Sequence, residues 1–249
     1  MKLNLIKCKL DEILPLRNLF LQENNFQIRY NARHERGWSD SYLITLNNNT
    51  IGYGSIAGNE NIEDRDSIFE FYMIPSYRDL AQSAFSELIH TSKASLITCQ
   101  SNDVLLSSLL FQFGQNINAD TVLLEEHFES SLYIDNAIFR KRDDKDIVFE
   151  HKAEPIGNYV VEFNGEIVAT GGFLTHYNMP FADLYMEVRE DHRRKGFGSF
   201  LIQEIKKQCY LSGRVPAART GLDNIASKTT LIKAGFRVAG FMLLGTVKL

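Results

Sequence analysis

One order of sequence signals occurs twice in this chain of 249 residues, and that recurrence limits the fold more than any single motif. In the first half, residues 41–46 and 50–56 are β-branched and aromatic runs around Asn47, Asn48 and Asn49. Asparagine tolerates the left-handed backbone of a hairpin turn, so this reads as a β-hairpin. A strand at 68–74 follows, ended by Pro75. Then come a helix over 80–89, a strand at 94–98, a helix over 103–111 closed by Gly114, and a strand at 121–125. The second half repeats the order. A hairpin at 159–163 and 166–171 turns at Asn164-Gly165; strand 184–188, helix 199–211, strand 214–220, helix 225–233 and closing strand 241–248 follow. The likeness lies in element order, with scattered residue matches, which points to duplication.

Each half adds something at its front. The first has a strand over 3–10, a helix from Asp11 through Leu14, Leu16, Leu19 and Phe20, and an irregular segment at 24–40 that holds the single tryptophan, Trp38. The second has a strand over 147–151, preceded by a charge run at 140–145 that reads as solvated surface. The expected class is α/β (α+β), with two domains at 1–130 and 131–249. Each is a mixed, mostly antiparallel sheet flanked by helices.

The halves differ most between the third strand and the helix after it. In the second half, Arg193-Arg194-Lys195 leads into Gly196-Phe197-Gly198-Ser199 and then a helix. A helix start offers unpaired N–H groups and the positive end of the helix dipole. Glycine lets a phosphate approach the backbone, and arginine and lysine add donors. The stretch suits a pyrophosphate. The first half has no glycine between Gly58 and Gly114, hence no such cradle.

Bulk properties narrow the function classes. With 44% hydrophobic and 23% charged residues, the chain resembles ordinary globular proteins. A net charge of −4 gives no general attraction to nucleic acid or anionic membrane, so neither is an expected partner. Cys8, Cys99 and Cys209 fit neither a disulfide framework nor a metal site. Free thiols, no metal and a cytoplasmic location are expected. The opening residues have too short an apolar run for a secretory leader, and no stretch reaches the roughly 20 apolar residues of a membrane span.

Arg193-x-x-Gly196-x-Gly198, after a strand and before a helix, resembles the acyl-CoA motif of the GNAT superfamily of N-acyltransferases. Asn224-Ile-Ala-Ser227, with Leu231, Lys233, Gly235 and Phe236, resembles the helical segment that follows it in that superfamily. The first half resembles the same fold with the motif lost, which makes the whole similar to a tandem GNAT protein. The resemblance implies acetyl-CoA as co-substrate and direct transfer of its acetyl group to an amine in a ternary complex. By position, backbone groups of Met186 and Val188 would hold the pantetheine arm. Those of Arg193, Arg194, Lys195, Gly196, Phe197, Gly198 and Ser199 would hold the pyrophosphate. Asn224 and Ser227 would lie near the pantetheine or the departing sulfur. Pro216 agrees, because in GNAT folds its strand splays from its neighbour. Simpler roles stand beside these: a tight turn for the glycines, an N-cap for Asn224, a left-handed helix end for Gly235 and packing for Trp38.

Acyl transfer from a thioester requires a neutral amine, a polarised carbonyl and a proton for the thiolate. A backbone N–H near Val188 can polarise the carbonyl. A carboxylate, through water, can take the amine's proton. Asp183 and Glu187, four apart on one strand, share a face and are the candidates. A tyrosine that many members carry late in the final helix is missing, with Leu231 and Ile232 in that region. Tyr177, Tyr185 and Tyr210 lie elsewhere. A glutamate found early on the cofactor strand in some members falls at Ala182, and positioning alone can supply much of the rate. The acceptor would be a small-molecule or peptide amine, walled by part of 24–40 or of 176–181. One rival reading is an acyl-CoA sensor without turnover. Another is a dinucleotide binder, which would want a third glycine at Leu201.

Overall fold

The computed structural model describes residues 3–24, 26 and 31–248, and the chain divides into two compact units. The described residues up to Asp120 and those from Gly240 onward make the first unit; Thr121–Ala239 makes the second. The chain begins β1 (Leu3–Cys8), α1 (Leu10–Glu23), α2 (Asn31–Glu35), β2 (Ser39–Leu46), β3 (Asn49–Ala57) and β4 (Ser67–Met73). It continues α3 (Ala81–Ser92), β5 (Leu96–Gln100), α4 (Val104–Phe113) and β6 (Gly114–Glu126). Then follow β7 (Ala137–Lys141), β8 (Tyr159–Phe163), β9 (Glu166–Leu174) and β10 (Phe181–Val188). Last are α5 (Phe197–Leu211), β11 (Val215–Gly221), α6 (Ile225–Lys233) and β12 (Phe236–Val247).

In the first unit the strands lie in the order β1-β2-β3-β4-β5-β12, and in the second β6-β11-β10-β9-β8-β7. Within them β4–β5 and β10–β11 are parallel and the other registered pairs antiparallel, so each sheet is mixed and mostly antiparallel. The hairpins form where the asparagines indicated. Asn47 and Asn48 have φ of 49° and 70°, and Asn164 and Gly165 have 51° and 82°. Two consecutive left-handed residues match the right-handed twist of the flanking strands.

Ile44, Ile51, Ile68, Phe71, Phe85, Leu88 and Leu110 are sealed in the first unit's main core. Each such side chain contributes about 1.5–3 kcal/mol on burial. The other face of β3 and β4 is closed by Ile13 and Phe20 of α1, and by Phe26 beyond it, against Tyr53 and Tyr72. Under that cover Glu70 is 0% exposed. Arg17 Nε and Nη2 each donate to it at 3.0 Å, Tyr53 Oη donates at 3.0 Å, and His34 Nε2 lies at 3.1 Å. Burial alone would raise the Glu70 pKa; Arg17 and His34 instead hold it well below the usual range. Of the segment at 24–40, residues 31–35 form α2, while Asn25 and residues 27–30 lie outside the described residues.

Three expectations need correction. The strand over 147–151 does not form. β7 takes the place beside β8 instead, pairing Ala137↔Phe163 through Lys141↔Tyr159, and Ile147 is left 92% exposed. The charge run is not merely solvated. Arg140 reaches Asp146 at 2.7 Å and Glu162 at 3.0 Å, which ties the end of β7 to the turn after it. The closing strand also serves a different sheet from the one that chain order suggests. From Gly240 it belongs to the first unit and pairs with β5, from Met242↔Gln100 to Thr246↔Leu96. Thr121–Glu125 of β6 pairs in the second unit with β11. A division at 130/131 therefore follows chain order, while each half's last strand completes the other half's sheet.

Candidate active site

β10 and β11 are paired over three positions, Phe181↔Val215, Ala182↔Pro216 and Asp183↔Ala217. No pair between them is registered past Asp183↔Ala217, although β10 runs on to Val188 and β11 to Gly221, so the two strands diverge. Which backbone groups face the gap follows from the ladder on the other side. Arg189 N donates to Val168 O at 2.9 Å, continuing a register in which Glu187 faces Thr170 and Tyr185 faces Gly172. Alternation then turns the N–H and C=O groups of odd residues toward β9 and those of Leu184, Met186 and Val188 toward the gap. Val215 N donates to Pro180 O at 2.8 Å, so the same alternation puts the nitrogen of Pro216 on the edge away from β10. Pairing with β6 begins only at Ala217, and the proline therefore costs no ladder bond. It lies just before the divergence, not inside it.

At the open end of the gap the chain turns through Arg193, then Arg194 (φ 61°) and Gly196 (φ 91°), into α5. The first helical bond is Phe200 N to Gly196 O at 3.0 Å. The N–H groups of Phe197, Gly198 and Ser199 precede it and have no acceptor within the helix. The two glycines do different work. A β-carbon at Gly196 would make only an ordinary contact, 3.6 Å from Ile134 Cδ1, but the residue holds the left-handed conformation that side chains resist. A β-carbon at Gly198 would stand 3.0 Å from Thr230 Cγ2, 3.3 Å from Val188 Cγ2 and 3.4 Å from Met186 Sδ. Gly198 thus lets α5 lie close to both β10 and α6. Arg193 Nε donates to Val188 O at 3.1 Å, so this side chain clamps the turn to the strand end. Arg194 and Lys195 are exposed. Ser199 is buried, and its hydroxyl donates to Thr230 O at 3.1 Å. Asn224 caps α6 by accepting from Ser227 N at 3.0 Å.

The first unit keeps part of this. β4 and β5 pair only at Ser67↔Leu96 and Ile68↔Ile97, and Arg78 Nε donates to Met73 O at 3.2 Å, again across five residues. Counting from that arginine, Ala81 and Ser83 stand where Gly196 and Gly198 would. Ala81 is right-handed, with φ −59°. The strand divergence is there and the glycine cradle is not.

Met186 and Val188 face α5, so Asp183, Tyr185 and Glu187 face the opposite side of the second unit's sheet. Among the described residues that side carries no helix, and the segments around 151–157 and 176–178 lie there instead. Glu187 accepts from the N–H groups of Lys152, Ala153 and Glu154 at 2.9, 3.1 and 3.0 Å, with His151 Nδ1 at 3.7 Å. Burial opposes its charge, but those three N–H groups and His151 bring its pKa below the ordinary value. Asp183 has the reverse balance. It is 7% exposed, and burial raises its pKa to about 6 against the lowering effects of Tyr177 and Arg219. Tyr177 Oη donates to Asp183 Oδ2 at 2.6 Å, and Arg219 Nε stands 3.7 Å from the same oxygen. Glu154 is raised by burial and by the charge of Glu187. The two candidate carboxylates share a face as their spacing indicates, yet one is a loop anchor and the other is poised to exchange a proton near neutrality. Among the described residues no group of three or more His, Cys, Asp or Glu is placed to hold a metal ion.

Residues 9–127 match the family described as an acetyltransferase (GNAT) domain, and residues 122–236 match the acetyltransferase (GNAT) family. The chain belongs to the GNAT acetyltransferases, with two such domains in tandem. Solved structures share the fold. An acetyltransferase from the GNAT family from Colwellia psychrerythraea is 13% identical, with 100% of both chains covered and a TM-score of 0.71. A tandem GNAT protein from the clavulanic acid biosynthesis pathway is 10% identical, with 100% of this chain and 99% of that one covered and a TM-score of 0.59. A GCN5-related N-acetyltransferase from Sphaerobacter thermophilus is 12% identical, covering 84% and 81%, with a TM-score of 0.52. No curated protein matches the chain significantly.

As a GNAT protein the chain is an N-acetyltransferase, of a family that uses acetyl-CoA. Some of its surroundings were not visible in the motifs. Tyr177, Arg219, Glu154 and His151 gather around Asp183 and Glu187 from three separate segments, and no spacing rule joins them. Arg219 alone carried a signal. Two residues beyond Ala217 on a strand, it must share a face with the partner of Asp183. Ala182 is 0% exposed and Leu231 is 3% exposed, both as packing residues.

Proposed function

We propose that the second unit binds acetyl-CoA along the divergence of β10 and β11 and passes its acetyl group directly to an amine, in a ternary complex. The observation that carries this is the divergence itself. The backbone groups of Leu184, Met186 and Val188 turn into a gap that ends at the left-handed Gly196 and the unpaired N–H groups of α5. That arrangement fits an extended amide-bearing arm with a diphosphate at one end. Acetyl-CoA supplies an activated acyl group on a thiol leaving group.

The chain's own residues then have separable tasks. N–H groups of Phe197, Gly198 and Ser199 receive the diphosphate, with Arg194 and Lys195 beside them. Arg193 holds the turn in register with β10. Asp183, once ionised, takes the proton from an acceptor ammonium, directly or through water, and leaves a neutral amine. When the new C–N bond forms and the C–S bond breaks, the sulfur keeps the electron pair and takes up, directly or through water, the second proton that the nitrogen gives up. Tyr177 keeps the Asp183 carboxylate oriented. The buried or half-buried thiols of Cys8, Cys99 and Cys209 suit a reducing compartment, and we place the protein in the cytoplasm.

Titration calorimetry with acetyl-CoA, CoA, NAD and ATP, followed by thiol release across an amine panel, tests the reading. Binding of the CoA species alone, with thiol release for some amine, is the expected result. Affinity for NAD instead would overturn it. Tight CoA binding with no release would favour the sensor reading, which the absence of a tyrosine at Leu231 and Ile232 motivates.

A further inference from the structure

Arg219 lies on β11 two residues past its last position paired with β10, on the face opposite α5. Its side chain is 42% exposed, against 10% for Asp183, and it sits 3.7 Å from Asp183 Oδ2 and 6.0 Å from the centre of the Tyr177 ring. A guanidinium and a carboxylate thus stand side by side at the apex of the divergence. The cradle is at the other end of the gap, so the apex is where an arm lying in it would bring its reactive end. From Val188 back to Asp183 is about 17 Å of strand. Glu154, the remaining carboxylate of the cluster, is exposed on its loop and feels the charge of Arg219, and Glu187 is occupied by three N–H groups of that loop.

A simple cationic amine would gain from Asp183 and be repelled by Arg219. A zwitterion laid with inverted polarity against the pair satisfies both groups, ammonium on Asp183 and carboxylate on Arg219, whose planar donors match a carboxylate. We infer that the acceptor is an amino carboxylate, an amino acid or a peptide with a free carboxylate close to its amine, and that Arg219 is the residue that recognises the carboxylate. This rests on the acetyl-transfer reading for the role of the bound amine, but the recognition itself is independent of acetyl-CoA.

The test is equilibrium binding to the full chain, followed by ligand-observed NMR. The probes are the common amino acids and, for each, the amide and the decarboxylated amine, with CoA affinity measured separately. Some amino acids should bind, and their amides and amines should bind roughly 10- to 100-fold more weakly, the usual value of a charged hydrogen bond. Arg219→Gln should erase that difference, while Arg219→Lys keeps part of it and CoA affinity stays unchanged in both. In turnover the Arg219→Gln effect should fall on KM for the acceptor more than on kcat. Amides or amines binding as well as the acids, no acid binding at all, or Arg219→Gln leaving selectivity intact would each overturn the inference. Loss of CoA binding in the unaltered protein would count against the acetyl-transfer reading alone. If Arg219→Gln fails to fold, the selectivity of the unaltered protein and of Arg219→Lys still decides.

Discussion

The two carboxylates of β10 show how strongly surroundings set a residue's part. Asp183 must ionise to serve as a base, and burial places its pKa at about 6. Transfer should therefore fall away as pH drops through about 6, and Asp183→Asn should lose most activity at every pH. The same charge has a cost in stability. Because the folded pKa is raised, the native state holds its proton more tightly than the unfolded chain does, and stability is lost as pH rises through about 6. Asp183→Asn should thus stabilise the protein at pH 7.5 by up to about 3 kcal/mol, measured by denaturant unfolding. Loss of both stability and activity would mean that Asp183 is structural. Glu187 has the opposite sign. Its depressed pKa gives stability that is present above the unfolded-chain value of about 4.3 and lost on further acidification. Glu187→Gln should cost about 2 kcal/mol at pH 7 and progressively less as the pH is lowered below the unfolded-chain value.

At the scale of elements, the same arginine clamp occurs in both units, but only one unit has a glycine cradle beside it. Arg193→Ala should weaken CoA binding by roughly tenfold through a loosened turn, as isothermal titration would show. Arg78→Ala, which breaks the matching contact in the first unit, should leave CoA affinity unchanged. Equal losses in both would place a CoA site in each unit. Much of this was legible in the sequence. Asn164-Gly165, Gly196-x-Gly198 and the Asn224 cap act through backbone geometry, which nearby residues determine. The edge strand β7 was not legible, because an edge needs no strict alternation and Arg140 and Lys141 mask what there is. The face around Asp183 was half legible. Alternation placed Asp183 and Glu187 together, but Tyr177, Glu154 and Arg219 reach them by tertiary folding, and pKa follows from that enclosure rather than from spacing.

For the molecule as a whole, the pairing of β12 with β5 assigns residues from Gly240 onward to the first unit, where Leu243 and Val247 pack against its core. Deleting them should strip protection from β5 amides in hydrogen exchange and lower the first unit's stability. The β10–β11 ladder should change less. A second consequence concerns synthesis. A ribosome delivers the chain in order, and domains usually fold as they emerge. Here the first unit's sheet has an open edge at β5 until all of the second unit has been made. That unpaired strand is a sticky template throughout translation, so the nascent chain, more than the finished protein, is where aggregation and chaperone demand should be greatest.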